Sequence, residues 1–167
     1  VAKYKKIMYR IGIGFDAHRF SMGRKLVLGG VEIPFEFGLE GHSDADVLTH
    51  AICDAILGAI GESDIGSHFP DSDSRYKGVS SLVLLEQVRA LSNSRDFKIE
   101  NIDSTVVCER PKLSAYIPQM KEKLSSVIRV SEDSLGIKAT TTDSMGFTGR
   151  GEGIAAYAVA LVKKATI

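Results

Sequence analysis

The sequence lacks tryptophan, has only two cysteines and four prolines among 167 residues, and carries no net charge, 21 Lys and Arg balancing 21 Asp and Glu. Cys53 and Cys108 fall outside any CxxC spacing, which excludes a disulfide framework or a thiolate metal knuckle and makes a reducing, cytoplasmic setting the expectation. Zero net charge argues against nucleic acid or any long polyanion held by phosphate neutralisation. No run reaches the ~20 apolar residues that span a bilayer, so no membrane partner is expected. Val1 to Lys6 precede no apolar stretch long enough for a signal peptide. Residues 1–7, ahead of Met8, read as an N-terminal extension, leaving one domain over 8–165. What remains is the composition of an ordinary soluble globule, 44% hydrophobic and 25% charged. A chain of this length buries about 70% of its unfolded surface.

Strand and helix signals interleave. Tyr9 to Phe15 alternates bulky and small residues and predicts a strand ending in the polar Asp16-Ala17-His18. Leu26 to Pro34 predicts two short strands bent at Gly29-Gly30. Ser43-Asp44 offers an N-cap ahead of the helically spaced Val47, Ile52, Ile56 and Ile60, and Gly61 closes that run. Residues 61–78, GESDIGSHFPDSDSRYKG, are too long and too polar for a plain connector and predict a substrate-facing loop. A second helix is expected over 79–92 and a strand over 97–107. A third helix runs from a Ser114 cap to about Val127, with Pro118 in its first turn, and a strand follows over 137–142. The Gly-rich 146–153 reads as a turn, and 154–162 as a last strand or helix. The predicted class is α+β with an α/β-like order, a single domain in which one mixed β-sheet packs against about three helices.

Asp16 and His18, two apart on a strand, point to one face with Cα atoms about 7 Å apart, so they can converge on one ion. His50 is the natural third ligand, and an Asp/His/His set with one open position suits catalytic zinc. Asp46 and Asp54, each four residues from His50, are candidates to accept its second ring N–H. The other reading is open at this point: Asp16 and His18 capping neighbouring backbone, His50 packed on a half-buried helix face. Gly146, Gly149, Gly151 and Gly153 with Arg150 could cradle phosphate or simply turn the chain. Thr140, Thr141 and Thr142 followed by Asp143 place hydroxyl donors and a carboxylate where phosphate oxygens and a hard cation could be held together.

Taken in order, GFDAH at 14–18, LGGVEIP at 28–34, HSDADVLTH at 42–50, DIGSHFPDSD at 64–73, RPK at 110–112 and KATTTDSMGFTGRGEGIA at 138–155 resemble the 2-C-methyl-D-erythritol 2,4-cyclodiphosphate synthase family over nearly the whole chain. The resemblance implies zinc, one per subunit, on Asp16, His18 and His50. It implies Mg²⁺ or Mn²⁺ bound with substrate at Asp143, where the family usually has the longer Glu. The reaction it implies is attack of the 2-phosphate of 4-diphosphocytidyl-2-C-methyl-D-erythritol 2-phosphate on the β-phosphorus, with CMP leaving. His42 and Thr141 match the residues that steady the transition state, and Ser43 lies beside His42. Substrate contacts are implied at Asp64, Ile65, Gly66, Phe69, Pro70, Asp71, Ser72 and Asp73. Cys108, Glu109, Arg110, Pro111, Lys112, Leu113 and Ser114 match the cytidine pocket, and Thr140, Thr142, Phe147 and Arg150 are implied as further contacts. Relatives are homotrimers whose sites lie between subunits, and Arg150 and Glu152 match residues near a central cavity that holds isoprenoid diphosphates. The competing expectations are a zinc phosphohydrolase and a non-catalytic trimeric nucleotide or isoprenoid-diphosphate binding protein.

Overall fold

The computed structural model describes residues 6–166. In chain order its elements are β1 (Lys6–Met22), β2 (Leu26–Leu28), β3 (Val31–Ile33), β4 (Phe37–Leu39), α1 (Val47–Ile60), α2 (Ile65–His68), α3 (Ser81–Ser94), β5 (Phe97–Val107), α4 (Ile117–Ile128), β6 (Leu135–Thr140), α5 (Gly146–Gly149) and β7 (Gly153–Thr166). Five strands form one sheet in the order β4-β1-β7-β5-β6, and β2 and β3 form a separate hairpin. Only β5 and β6 pair in parallel, with α4 in their connection, so the main sheet is mixed. The α+β, single-domain expectation is met.

Alternation along β1 decides what packs where. Ile11, Ile13 and Phe15 point to one face and are exposed, while Gly12, Gly14, Asp16 and His18 point to the other, against α1. A Cβ at Gly12 would sit 2.2 Å from the Ala55 carbonyl oxygen, and one at Gly14 would sit 1.9 Å from that of Ala51. Glycine on the strand, facing Ala51, Ala55 and Ala59 on the helix, lets the two backbones approach closely. That approach brings the first turn of α1 over the Asp16 end of β1. The core continues from α1 through Leu85 and Val88 of α3, Met120 and Leu124 of α4 and Ile102 and Val106 of β5. Among the described residues no helix is long and apolar enough to cross a membrane.

Several boundaries differ from those expected. β1 does not end at Asp16-Ala17-His18 but runs on to Met22, because its second half finds β7 on one side and β4 on the other. It also begins at Lys6, opposite Thr166, two residues ahead of Met8. The cap of α1 is Asp46, whose side chain accepts the Thr49 N–H, and not Ser43-Asp44, so His50 lies in the first turn. Tyr116 precedes α4 with no side-chain cap, in place of the expected Ser114. The sixth strand spans 135–140 and not 137–142, because the chain turns after Thr140 to left-handed Asp143 and Ser144, with φ of 51° and 65°. The three expected helices are joined by two single turns, α2 and α5, the second inside the segment read as a plain turn. The short β4 was not anticipated. The bend at Gly29-Gly30 is as expected, both in the left-handed region that favours glycine.

Candidate functional site

Asp16 Oδ2 lies 2.9 Å from His18 Nε2 and 2.9 Å from His50 Nδ1, and the two ring nitrogens are 3.3 Å apart. A four-coordinate ion with bonds of about 2.0–2.1 Å holds its ligand atoms about 3.3–3.4 Å apart. The observed set therefore needs its two shorter separations to open by only about 0.4 Å. One carboxylate and two imidazoles are also the donor chemistry such an ion takes. These three residues could hold a metal ion. Burial acts to raise the Asp16 carboxyl, but the hydrogen bonds and charges of His18 and His50 outweigh it and hold the group well below the usual carboxylate range. Burial likewise acts to lower His18, yet Asp16 and the Glu40 carbonyl, 2.6 Å from Nδ1, raise it instead.

The outer nitrogen of His50 does not meet Asp46 or Asp54, contrary to the sequence expectation. Asp46 is fully buried and its carboxylate is taken up by the N–H groups of Gly29, Gly30 and Thr49 and by the Thr49 hydroxyl. Asp54 accepts the Ile65 N–H at 2.7 Å and so ties down the start of α2. His50 Nε2 faces two hydroxyls, Ser81 Oγ at 2.9 Å and Ser43 Oγ at 3.2 Å. The spacing that put Asp46 and Asp54 near His50 on a helical net was correct, but each carboxylate has nearer backbone donors to satisfy.

A cavity of about 220 Å³ opens over the donor set, lined by Asp16, His18, His42, Ser43 and His50 together with Ile65, Gly66, Phe69 and Asp71 of the 61–78 loop. Tyr76, Leu84 and Gly41 complete the wall, and sequence reasoning did not single them out. Residues 42–44 and 78–79 are clasped by backbone bonds, Gly78 N–H to His42 and Asp44 N–H to Val79, which fixes the loop's far end. The Arg24 guanidinium donates to the carbonyls of Gly41 and Ser43, steadying the segment that carries His42. No sequence motif announced Arg24, because it acts on backbone.

A second cavity of about 260 Å³ is lined by Cys108, Glu109, Pro111, Lys112, Leu113, Ser114, Ala139, Thr140 and Thr141. It lies at the ends of β5 and β6, at the same end of the sheet as Asp16, since Asp16 and Val106 flank Ala156 in register. His42 and Thr141 thus border different cavities of one chain. Glu109 Oε1 accepts the N–H groups of Thr142 and Ser144 and so holds the left-handed turn that presents Asp143. Asp143 is exposed beside Thr141 Oγ1, 3.4 Å away. Asp64 caps α2, and Asp73 pairs with Arg75. Pro70, Ser72, Arg110 and Phe147 are outside both linings, as is Arg150, which pairs with Glu152.

The fold and donor set define a class: a single α+β domain with a metal-ligating cluster at a strand–helix junction, open to a small-molecule cavity. The YgbB family model matches residues 9–163, and the chain belongs to that family. It is 59% identical over 155 residues to the 2-C-methyl-D-erythritol 2,4-cyclodiphosphate synthase of Syntrophus aciditrophicus, covering 93% of this chain and 98% of that protein. It is equally 59% identical to the enzyme of Caldicellulosiruptor bescii, covering 93% and 99%. Among solved structures, the bifunctional IspDF from Campylobacter jejuni superposes with a TM-score of 0.92 at 38% identity, over 96% of this chain and 44% of that longer one. The IspF–CDP complex from Plasmodium falciparum superposes with a TM-score of 0.82 at 31% identity, over 99% and 100%. The chain is accordingly an enzyme, a lyase of isoprenoid-precursor biosynthesis.

Proposed function

We propose that the chain converts 4-diphosphocytidyl-2-C-methyl-D-erythritol 2-phosphate to 2-C-methyl-D-erythritol 2,4-cyclodiphosphate and CMP. An oxygen of the 2-phosphate forms the new bond to the β-phosphorus, the bond from that phosphorus to the α-phosphate oxygen breaks, and CMP carries the electron pair away. The observation that supports this most directly is the Asp16, His18, His50 cluster at the floor of a cavity walled by the 61–78 loop. Zinc held there supplies Lewis-acidic positive charge beside the phosphates. The protein's part is positioning: His42 and Ser43 at the phosphate end and the 64–73 loop around the sugar hydroxyls. Cytidine fits the second cavity, whose walls are mainly backbone and apolar, as the CDP bound in the Plasmodium falciparum relative suggests. Asp143 is suited to Mg²⁺ or Mn²⁺ through one oxygen and intervening water.

Because the two cavities share no lining residue, a site completed by a neighbouring subunit is consistent with the geometry. The outer face of β1 and β7 supports a homotrimer: Ile11 and Ile13 are each 71% exposed, beside exposed Phe15, Tyr157 and Val159. A binding protein has no need of three convergent ligands, so the intact cluster favours the enzyme. Phosphorus NMR with the diphosphocytidyl substrate is the test. A cyclic diphosphate and CMP are expected, and linear monophosphates would sink the cyclase reading in favour of a hydrolase.

A further inference from the structure

Ser81 is the most fully committed polar side chain behind the metal ligands. It is completely buried in the first turn of α3, and its Oγ donates a short hydrogen bond to Asp44 Oδ1. Asp44 Oδ2 accepts the Ser81 backbone N–H at 3.0 Å, so the carboxylate also closes the start of α3. On its other side Ser81 Oγ lies 2.9 Å from His50 Nε2. The competing hydroxyl, Ser43 Oγ, is farther from Nε2 at 3.2 Å and already accepts the Ala45 N–H.

Proton counting fixes the directions. A serine hydroxyl has one proton and a carboxylate accepts only. With the Ser81 proton directed at Asp44, the oxygen can only accept from His50, which must present Nε2–H. That leaves Nδ1 as the nitrogen turned to the donor cluster, facing Asp16 Oδ2 and His18 Nε2. His18 is set the opposite way round: its Nδ1 lies 2.6 Å from the Glu40 carbonyl, an obligate acceptor, so Nε2 is the nitrogen turned to the cluster. The two histidines offer different ring atoms to one point because different acceptors stand behind them.

We propose that Ser81 and Asp44 are positioning residues of the metal centre, a carboxylate–hydroxyl relay that holds His50 in the Nε2–H tautomer with Nδ1 bare for the ion. This rests on the metal reading of Asp16, His18 and His50. The relay ties the start of α3 to the 42–44 segment and α1, 37 and 31 residues earlier at Asp44 and His50, so the metal ligand is oriented only once the 61–78 loop has been closed behind it.

The experiment reads the tautomer and the metal separately from turnover. Ring nitrogen shifts of His50 are measured by NMR on the zinc-loaded full chain, and zinc affinity by competition with a chromogenic chelator, for wild type, Ser81→Ala and Ser81→Thr. Wild type is expected to show Nε2–H. Ser81→Ala is expected to loosen the hold on Nε2–H and to weaken zinc binding by about 10- to 100-fold. Ser81→Thr, which keeps the hydroxyl, recovers most of the affinity. A zinc-loaded wild type in which His50 binds through Nε2 and carries its proton on Nδ1 overturns the proposal without any variant. Undiminished zinc affinity in Ser81→Ala overturns it alone, whereas a wild type that takes up no zinc overturns the metal reading with it.

Discussion

The first cavity is built from side chains that hydrogen-bond one another, and the second from backbone. Around Asp16, His18 and His50 every ring nitrogen has a partner within 3.3 Å, and behind them stand Ser43, Ser81, Asp44 and the Glu40 carbonyl. Around 108–114 backbone bonds predominate, Cys108 N–H to Thr140 and Tyr116 N–H to Leu113, while Lys112 and Ser114 are exposed. The difference matches what the proposed function asks of each cavity. An ion demands fixed donor atoms of set chemistry, whereas a planar base is recognised well by backbone N–H and C=O groups between apolar walls.

That division can be broken most sharply at His50. His50→Ala removes one of three ligands, and zinc content by elemental analysis is expected to collapse with turnover falling about 10³-fold. CDP affinity, measured calorimetrically, should stay near wild type. An equal loss of CDP binding would show that the cavities are one coupled site. Next in size is Gly14→Ala, which drives a Cβ to 1.9 Å from the Ala51 carbonyl oxygen. Backbone cannot yield there as a flexible side chain would, so a loss of about 3 kcal/mol or more is expected in denaturant unfolding. The second cavity has no glycine among its lining residues.

Asp46→Asn is a smaller perturbation of the same side. Four donors converge on the buried carboxylate at 2.6–3.0 Å, and an amide nitrogen turns one acceptor into a donor against them. A loss of about 2 kcal/mol is expected by thermal unfolding. Neutral stability would show that the hairpin turn at Gly29-Gly30 does not depend on this clamp.

How far the sequence disclosed these features follows the same division. The Asp16, His18, His50 set was legible because strand and helix periodicity place side chains, and metal chemistry restricts which side chains serve. Gly12 and Gly14 were visible as small residues, but their reason, the carbonyls of Ala51 and Ala55, exists only once α1 lies on β1. Ser81 and Asp44 were silent, since a serine 31 residues from His50 carries no periodic signal toward it. Arg24 was silent for the same reason. The cap of α1 was misread because Ser43, Asp44 and Asp46 are all good capping residues. The choice among them was made by the β2–β3 turn, which claims Asp46, and by α3, which claims Asp44.

Asp143 sharpens the comparison from beside the second cavity, 3.4 Å from Thr141 Oγ1. It belongs to neither lining and is held out by the left-handed turn that Glu109 fastens. Asp143→Asn is expected to raise the Mg²⁺ or Mn²⁺ concentration needed for half-maximal turnover about tenfold while leaving zinc content unchanged. Loss of zinc instead would mean that the carboxylate serves the first cavity.

The smallest effect concerns the second cavity's own chemistry. Burial, with the Glu109 charge adding to it, pushes the Cys108 thiol up to about 11. At mildly alkaline pH its thiolate fraction then lies about a hundredfold below that of an ordinary cysteine, and the thiolate is the nucleophile. Alkylation by iodoacetamide, followed by mass spectrometry, is expected to be slow and to accelerate with pH until that high value is approached. CDP should slow it further by covering the pocket. Rapid alkylation at neutral pH would show a wetter, more electropositive cavity than apolar and backbone walls can make, and the contrast with the side-chain-built cavity would have to be redrawn.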